Sequence, residues 1–435
     1  MQRVNVGHKQ LADYASIVGR SLADEIRGLA EPLRGRRMLH LSATAFGGGV
    51  AEIQYTLIPL LNDIGIETEW RVIHGRDEFF DVTKSIHNAL QGDPTALTPD
   101  QRRVFNEYTV LNAEALTDAD EWDMIVVHDP QPVGIRPLLE TARPRWVWRC
   151  HIDLSEPNAE VLDFLLPSIY SYDAAIFHMH QYVPAGAGLE QAVIWPPAID
   201  PLAPKNMALA PEDAGYIVDQ FGIDANRPLM LQVSRFDPWK DPSGVIEAYR
   251  IVKARHPGMQ LALVGSMAHD DPEGWEFYNQ TVGTAGDDPD IHILSNLNNV
   301  GAVEVNAFQV HASVCIQKSI KEGFGLTVSE ALWKSRPVIG GNVGGITTQI
   351  EDRVTGHLVD SVEECAERAL EILADPLEAR AMARRGKEHV RRCFLTPRLV
   401  RDWLALMHHF EGEQVDLEFH RATPEPRPDP DQLTA

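Results

Sequence analysis

Cysteine is scarce in this chain of 435 residues, which contains only Cys150, Cys315, Cys365 and Cys393. The four are scattered without a Cys-x-x-Cys pair, so a disulfide-rich scaffold and a cysteine-based zinc site are excluded. We expect reduced thiols in a cytoplasmic protein. Cys150 stands beside His151, but neighbours along a strand point to opposite faces, which predicts a buried thiol and not a nucleophile.

Long apolar runs and an excess of positive charge are also lacking. No apolar run reaches the ~18 residues that a membrane-spanning helix needs, and residues 1–20 hold no apolar segment typical of a secretory signal. The formal net charge of -24 disfavours nucleic acid and anionic membranes as partners. We therefore expect a cytoplasmic protein in which any phosphorylated ligand occupies a locally basic site.

Clustered metal ligands are missing as well. Neither the pair His178 and His180 nor the pair His408 and His409 has further ligands at zinc spacing. The Asp-Ala-Asp run at 118–120 precedes a predicted strand instead of following one, which indicates a solvated turn. No Gly-x-x-x-x-Gly-Lys-Ser/Thr motif occurs, so P-loop chemistry is unsupported. We expect no metal site built by the protein and no tightly bound cofactor.

What the chain does contain is an alternation of short β-rich runs with helical patterns. This order predicts parallel βαβ units and an α/β fold with doubly wound sheets. The predicted strands are 37–42, 68–74, 124–128, 146–151, 174–178, 229–234, 260–264, 292–295, 313–317 and 337–340. Helices are predicted at about 50–63, 362–374, 377–393 and 397–409.

Three prolines within residues 195–201 and a polar run to about residue 226 indicate a linker between two domains. We predict Rossmann-like domains at 1–200, with an N-terminal extension, and at 201–395. A C-terminal helix at 396–413, expected to pack back on the first domain, and a disordered tail at 414–435 complete the chain. Two such sheets should face each other across a cleft at the carboxyl ends of their strands, where ligands bind.

The segment from Glu322 to Glu330 is the most informative one in the chain. A Gly-x-Gly turn follows Glu322, and the run from Leu326 reads as a helix. Free N–H groups and the positive end of the helix dipole suit a phosphate. Glu330 lies about one turn into the helix, within reach of a ribose, while Glu322 stays on the loop. A nucleoside diphosphate sugar is one ligand that would use all three features.

Two cations, Arg235 and Lys240, lie just after a predicted strand. They could neutralise charge that develops on a diphosphate leaving group, and otherwise they form a solvated loop with one Arg–Asp pair. The downstream pair of glutamates favours the first interpretation. The triplet Gly47, Gly48 and Gly49 lies between a strand and a helix, and it suits either a backbone approach to phosphate or a packing turn. Glu52 stands where a dinucleotide fingerprint would have its third glycine.

Strand ends carry further polar candidates. His151 ends an apolar run and could contact a sugar hydroxyl near the reacting carbon, with Asp153 orienting the acceptor. The alternative is a histidine satisfied within a loop. His128 and Asp129 follow another predicted strand in the same way.

Three motifs together resemble retaining glycosyltransferases of the GT-B fold: Ser-Arg-Phe-Asp-Pro-Trp-Lys at 234–240, Glu-Gly-Phe-Gly-Leu-Thr-Val-Ser-Glu-Ala at 322–331 and Gly-Asn-Val-Gly-Gly-Ile at 341–346. Within that group the chain is similar to the glycosyltransferring trehalose synthases. That resemblance rests on blocks at 46–52, 79–84, 87–92, 127–132, 148–155 and 267–275. Retaining trehalose phosphorylases share much of the pattern.

The resemblance implies transfer of glucose from UDP-glucose or ADP-glucose to free glucose, giving trehalose. It places Arg235 and Lys240 at the donor diphosphate, Glu330 at its ribose, Glu322 at its sugar hydroxyls, and His151 near the anomeric carbon. The implied donor site comprises Gly47, Gly48, Gly49, Arg235, Lys240, Gly265, Leu297, Glu322, Gly323, Phe324, Gly325, Leu326, Thr327 and Glu330. The implied acceptor site comprises Gln54, Asp129, His151 and Asp153. Glu322, Arg235, Lys240 and His151 are the implied catalytic residues.

Several alternatives remain open from the sequence. Another acceptor, including phosphate, would make the chain a phosphorylase or a different transferase. A sugar-nucleotide-binding protein without turnover ranks lower, because Arg235, Lys240, Glu322 and Glu330 are all present. Mg²⁺ could stimulate by binding the diphosphate. A homodimer is the default expectation for a soluble enzyme.

Overall fold

A computed structural model describes residues 1–184, 192–267 and 272–417, with residues 272 and 273 described by their backbone alone. Its two β-sheets confirm the predicted α/β architecture, in which the chain forms two doubly wound sheets. Part of the block at 267–275 and most of the predicted C-terminal tail lie outside the described residues.

The first sheet has seven strands in the order β1-β3-β2-β4-β5-β6-β7. Every pairing is parallel except that of β1 with β3. Buried parallel strands need side chains that are apolar on both faces, and β4 is buried at every position. The strands are β1 Gln2–Arg3, β2 Arg37–Ser42, β3 Glu67–Val72, β4 Met124–His128, β5 Arg145–Arg149, β6 Ala174–Phe177 and β7 Ala192–Ile194.

Helices cover both faces of this sheet. The Thr98 side chain and Gln101 form a capping box that starts one of them, which fixes where that helix begins. The helices are α1 Leu11–Val18, α2 Arg20–Ala30, α3 Gly48–Asp63, α4 Asp77–Leu90, α5 Pro99–Glu114 and α6 Ala159–Ile169.

The second sheet has six parallel strands in the order β10-β9-β8-β11-β12-β13. The strands are β8 Leu229–Val233, β9 Gln260–Gly265, β10 Ile291–Ser295, β11 Val314–Gln317, β12 Val338–Gly341 and β13 His357–Val359. The helices of this half are α7 Pro211–Asp219, α8 Pro242–Arg255, α9 Pro272–Ala285, α10 Ala302–His311, α11 Leu326–Trp333, α12 Ile346–Gln349, α13 Val362–Ala374 and α14 Pro376–Cys393.

The connection between the sheets is more ordered than a simple linker. α7 lies inside the polar run that the sequence assigns to the linker, and Ala214 and Val218 are the residues that it buries. The last helix, α15 Thr396–Phe410, returns to the first sheet, where Val400 and Trp403 join a core with Val126 of β4. Within the described ranges, no helix combines the length and apolarity that a membrane crossing requires.

Candidate functional site

The carboxyl ends of the two sheets meet across a cleft. A β-carbon at Gly323 would come within 2.9 Å of the backbone oxygen of His151, and the Tyr182 hydroxyl donates to the Glu322 carbonyl at 2.9 Å. At the other end of the contact, a β-carbon at Gly49 would lie 2.7 Å from the Leu326 side chain. The structure thus brings the glycine triplet and His151 of the first half against the loop at 322–326 of the second.

The loop after β11 turns sharply because Gly325 has a φ of 80°, in the left-handed region that favours glycine. A β-carbon there would also come within 3.2 Å of the Glu322 carboxyl carbon. α11 starts directly after this glycine, so its free N–H groups open toward the cleft. Glu322 is thereby held beside the amino end of α11, where an anion is favoured.

Lys240 and Glu322 form an ion pair, with 2.7 Å between the Lys240 Nζ and the Glu322 Oε2. Lys240 ends a short helical turn that the Asp237 side chain caps. The Ser319 hydroxyl also donates to Glu322, at 3.2 Å. The residue expected at the diphosphate and the residue expected at the sugar hydroxyls are therefore neighbours. A ligand that carries both groups would contact both residues at once.

Arg235 precedes Lys240 on the segment that follows β8, and it is more open to solvent. Its side chain is 69% exposed and faces Asp237 at 3.4 Å. Burial and the Arg235 charge lower the pKa of His87 to about 4, which places Arg235 close to α4 of the first half. Arg235 is therefore available to an anionic ligand in the cleft.

Glu330 is buried within α11 with a relative exposure of 1%. Its Oε1 lies 3.3 Å from the Nζ of Lys205, which also binds Glu52 at 2.8 Å. Its Oε2 has no hydrogen-bond partner in the structure. Buried carboxylate oxygens are normally satisfied, so this atom is suited to a ligand hydroxyl. Burial by itself would lower the pKa of the Lys205 ammonium. The charges of Glu330 and Glu52 outweigh that effect, so the pKa of Lys205 is raised.

Two other donor-site candidates lie at strand ends. Gly265 ends β9, where a β-carbon would come within 2.7 Å of the Ser234 carbonyl, so only glycine fits without displacement. Leu297 sits on the turn after β10 and is 47% exposed. An exposed leucine at this edge could cover the flat face of a base.

His151 follows β5 and closes the other side of the cleft. Its backbone N–H donates to the Asp129 carboxylate at 2.8 Å, and its Nε2 lies 2.9 Å from the His128 Nδ1. Burial and the Arg149 charge keep the pKa of His151 well below its usual value, so its ring is neutral. Burial raises the pKa of Asp129 to about 7. Asp153 accepts from the Ser155 backbone N–H and hydroxyl, both at Oδ1.

The structure places one predicted acceptor contact, Gln54, behind the surface of the site, and it gives another, Asp129, a second role. Gln54 has no exposed surface, and its amide lies 2.9 Å from the His128 Nε2. Asp129 uses its carboxylate to hold the His151 backbone. Gln54 therefore acts on the site only through His128, because a side chain enclosed by protein cannot touch an acceptor. Asp129 keeps some exposed surface, so it stays a predicted acceptor contact while it also holds the His151 backbone.

Sequence reasoning missed Lys205 and set His178 aside. Lys205 is the cation that faces Glu330. It lies in the segment that the sequence assigns to the linker, where no binding residue is expected. His178 stacks edge-on against the His151 ring. The available signal was that three neighbouring strands, β4, β5 and β6, each end at or just before a histidine.

Comparisons with known proteins match both halves of the chain. The family model described as "Trehalose synthase, N-terminal domain" matches residues 40–184, and "Glycosyl transferases group 1" matches residues 216–389. The trehalose synthase of Rubrobacter xylanophilus is 57% identical, covering 95% of this chain and 100% of that protein. The trehalose synthase of Thermococcus litoralis is 45% identical, covering 92% of this chain and 97% of that protein.

Among solved structures, sucrose-phosphate synthase from Thermosynechococcus elongatus superposes with a TM-score of 0.68 at 18% identity. The match covers 87% of this chain and 100% of that one. At that identity the likeness shows the fold alone.

Proposed function

Starting from the membership of this chain in the trehalose synthase family of GT-B glycosyltransferases, we propose that it transfers glucose from a nucleoside diphosphate glucose to free glucose. The products are trehalose and the nucleoside diphosphate. UDP-glucose and ADP-glucose are the donors of interest, and the α configuration of the donor is retained.

The observation that carries the proposal is the spacing of three charged side chains. Lys240 and Glu322 touch, and Glu330 lies eight residues beyond Glu322 with a buried, unpartnered oxygen. A cation, a loop carboxylate and a helix carboxylate in this order match a diphosphate, a sugar and a ribose. A plain sugar would leave Glu330 unused, and a plain nucleotide would leave Glu322 unused.

The leaving group departs toward cations. As the bond between the anomeric carbon and the diphosphate oxygen lengthens, negative charge grows on that oxygen, and Lys240 and Arg235 stabilise it. The same oxygen takes the proton of the acceptor hydroxyl, which attacks from the face that the diphosphate leaves. The configuration is thereby retained. Glu322 is bound to Lys240 and Ser319, which supports a role in holding the sugar over a role as nucleophile.

The acceptor enters from the first half of the chain. The His151 side chain keeps some exposed surface at the cleft, and both bonds from Ser155 use the Oδ1 of Asp153, so Oδ2 is the oxygen offered to an acceptor hydroxyl. The close approach of Gly323 to His151 would exclude water from the reacting carbon and suppress donor hydrolysis. Mg²⁺ would add charge neutralisation on the diphosphate.

The test is product identification with purified protein, UDP-glucose or ADP-glucose, and glucose, with and without Mg²⁺. We expect nucleotide release only with glucose present, and α,α-trehalose as the product. A Lys240→Ala protein is the control for contaminating activity. Nucleotide release without trehalose would keep the transferase and reject the acceptor. With isotope-labelled donor glucose, a product in which the labelled ring is β-linked would reject retention.

A parallel reaction with trehalose and inorganic phosphate distinguishes a phosphorylase from the proposed transferase. Glucose phosphate formed there, with no nucleotide released in the first assay, would replace the proposal. Saturable donor binding by calorimetry, without turnover in either assay, would indicate a binding protein.

A further inference from the structure

Four histidines, three of them buried and His151 half-buried, run in a row that ends at the cleft. His40 lies within β2, and His128, His151 and His178 lie at or just past the ends of the next three strands, β4, β5 and β6. The ring centroids of His40 and His128 are 5.2 Å apart and stacked, as are those of His128 and His151. Of the first three members of the row, His40 and His128 are buried, and His151 has the most exposed surface.

The first three rings are joined nitrogen to nitrogen. The His40 Nδ1 lies 2.9 Å from the His128 Nε2, and the His128 Nδ1 lies 2.9 Å from the His151 Nε2. Neutral imidazole carries one N–H and one acceptor nitrogen. Each contact needs one donor and one acceptor, so only two proton arrangements satisfy both. In one arrangement every N–H points toward His151, and in the other every N–H points toward His40.

Met38 distinguishes the two arrangements. Its thioether sulfur lies 3.1 Å from the His40 Nε2. A thioether has no proton to give and can only accept. The His40 Nε2 must therefore carry the proton, which leaves the His40 Nδ1 as acceptor. The same logic puts a proton on the His128 Nε2 and then on the His151 Nε2.

Gln54 agrees with this order only when its amide is turned by half a turn, because in the structure its amide nitrogen, which can only donate, faces the His128 Nε2. Its amide lies 2.9 Å from the His128 Nε2, while its Oε1 is otherwise buried without a donor. The nitrogen and oxygen of an amide are exchanged by a half-turn of the group. With that half-turn, the His128 Nε2–H is shared between the Gln54 Oε1 and the His40 Nδ1.

We propose that Met38, His40 and His128 form a positioning row that presents the His151 Nδ1 as a hydrogen-bond acceptor for a sugar hydroxyl at the reacting centre. The inference rests on the proposed function, since it needs a sugar bound against His151. The opposite order would place an N–H at the same point. The sugar hydroxyl would then have to accept a hydrogen bond there and donate its own proton elsewhere.

Burial supports the neutral state that the argument requires. The pKa values of His128 and His151 lie well below their usual value, and burial lowers the pKa of His40 to about 3. Arg149 is the charge that faces the row, and it disfavours an added proton further.

The first test is nitrogen-15 NMR of the full-length, histidine-labelled protein without substrate. Protonated and unprotonated ring nitrogens resonate far apart, and a His151→Gln protein identifies the His151 signals by subtraction. We expect the His151 Nε2 to be protonated and Nδ1 to be unprotonated. A protonated Nδ1, or a doubly protonated ring, would overturn the proposal.

A matched pair of variants tests the role of the sulfur. Met38→Leu removes the acceptor with little change in volume, whereas Met124→Leu makes the same change on the neighbouring strand, where Met124 pairs in register with Met38. We expect Met38→Leu to populate the other tautomer at His151 and to lower kcat roughly tenfold, the scale of one misdirected hydrogen bond. Met124→Leu should change neither. If the two variants had equal effects, Met38 would contribute only core packing, and the proposed role of its sulfur would be rejected.

Failure of this inference and failure of the proposed function give different results. Trehalose formation with a protonated Nδ1 would reject the positioning row and keep the transferase. If NMR shows the expected tautomer but the protein transfers glucose to no acceptor, the proton order stands and its proposed role in binding a sugar hydroxyl is rejected. If Met38→Leu does not fold, the spectrum of the unchanged protein still decides.

Discussion

At the scale of single residues, the contact between Lys240 and Glu322 makes the strongest prediction. Lys240→Ala removes the cation that we propose stabilises the leaving diphosphate, and we expect kcat to fall by roughly 10²–10³-fold. The helical content, followed by circular dichroism, should stay unchanged, because Lys240 ends a short surface turn outside the cores. Steady-state kinetics with saturating donor and glucose provide the measurement.

Lys253→Ala is the matched control. Lys253 is also a lysine of the second half, paired with Asp288 at 2.7 Å, but it lies on α8 away from the cleft. Its removal should leave kcat unchanged. Near-normal turnover in the Lys240→Ala protein would exclude the leaving-group role.

Glu330 should control donor affinity. Glu330→Gln keeps the shape but weakens both the pairing with Lys205 and the acceptance of a ribose hydroxyl. A hydrogen bond to a charged group is worth about 1.5–3 kcal/mol, so the donor KM should rise roughly 10- to 100-fold. The value of kcat at saturation should change less, because the ribose is remote from the reacting carbon.

Glu52→Gln distinguishes a direct contact of Glu330 with the ribose from an indirect effect through the position of Lys205. Glu52 is the other carboxylate on Lys205, but it belongs to the first half of the chain. We expect its loss to leave the donor KM within roughly threefold, below 1 kcal/mol for a partly exposed pair. An equal rise in both variants would assign the effect to Lys205.

Sequence reasoning reached these residues unevenly, for a physical reason. Glu322 and Glu330 share one loop and one helix, so their relation is local and visible in the sequence. Lys205 meets Glu330 only after the chain has folded across the linker. Gln54 and His128 meet through the pairing of separate elements, and spacing along the chain carries no sign of that contact.

At the scale of elements, the buried strands were the easiest to predict. β2 and β4 match their predicted ranges, since strands buried on both faces read as short apolar runs. The short strands β1, β7 and β13 were missed because they have two or three residues each and leave no periodic pattern. α7 was missed because its polar sequence resembles a linker.

The loop before α11 gives the prediction at this scale. In Gly323→Ala, the new β-carbon would meet the His151 backbone oxygen at 2.9 Å, and a backbone atom cannot move aside cheaply. We expect the cleft to close less completely, with kcat lowered at least tenfold and donor hydrolysis increased relative to transfer. The ratio of free glucose to trehalose, measured by chromatography, reports this directly.

Gly28→Ala provides the comparison for Gly323→Ala. Gly28 lies within α2, where an added β-carbon meets nothing within 4 Å. That change should raise stability by about 0.5–1 kcal/mol and leave the product ratio unaltered. An unchanged product ratio in Gly323→Ala would show that the contact with His151 does not control closure.

At the scale of the whole molecule, α15 ties the two halves to their connection. Arg398 donates to the carbonyls of Pro196 and Pro197 and pairs with Asp402 at 2.5 Å, all in buried surroundings. The same helix fills the core beneath the first sheet. Arg398 of α15 thus holds the backbone of the two linker prolines in place. This contact spans two hundred positions and could not be derived from local sequence patterns.

The buried histidines predict how the whole molecule responds to acid. Burial holds the pKa of His40 at about 3 and that of His87 at about 4, and it keeps those of His128, His151 and His178 well below the usual value. In the unfolded chain each titrates near ~6.5. As pH falls below that value, the unfolded chain takes up protons that the native protein refuses, so the free energy of unfolding decreases.

Asp129 opposes this trend, because its raised pKa of about 7 lets the native protein bind a proton that the unfolded chain binds only at lower pH. Burial also raises the pKa of Glu52 and lowers those of His292, His311 and His357. The histidines therefore outnumber the two carboxyls among these groups, which leaves a net loss of stability between about pH 6.5 and 5, each proton contributing about 1.4 kcal/mol per pH unit. Denaturant unfolding at a series of pH values would measure the slope. His87→Gln should lower the slope by about one proton, whereas His256→Gln, at an exposed site after α8, should not. A slope that is flat above pH 5 would contradict the burial of neutral histidines on which the positioning row depends.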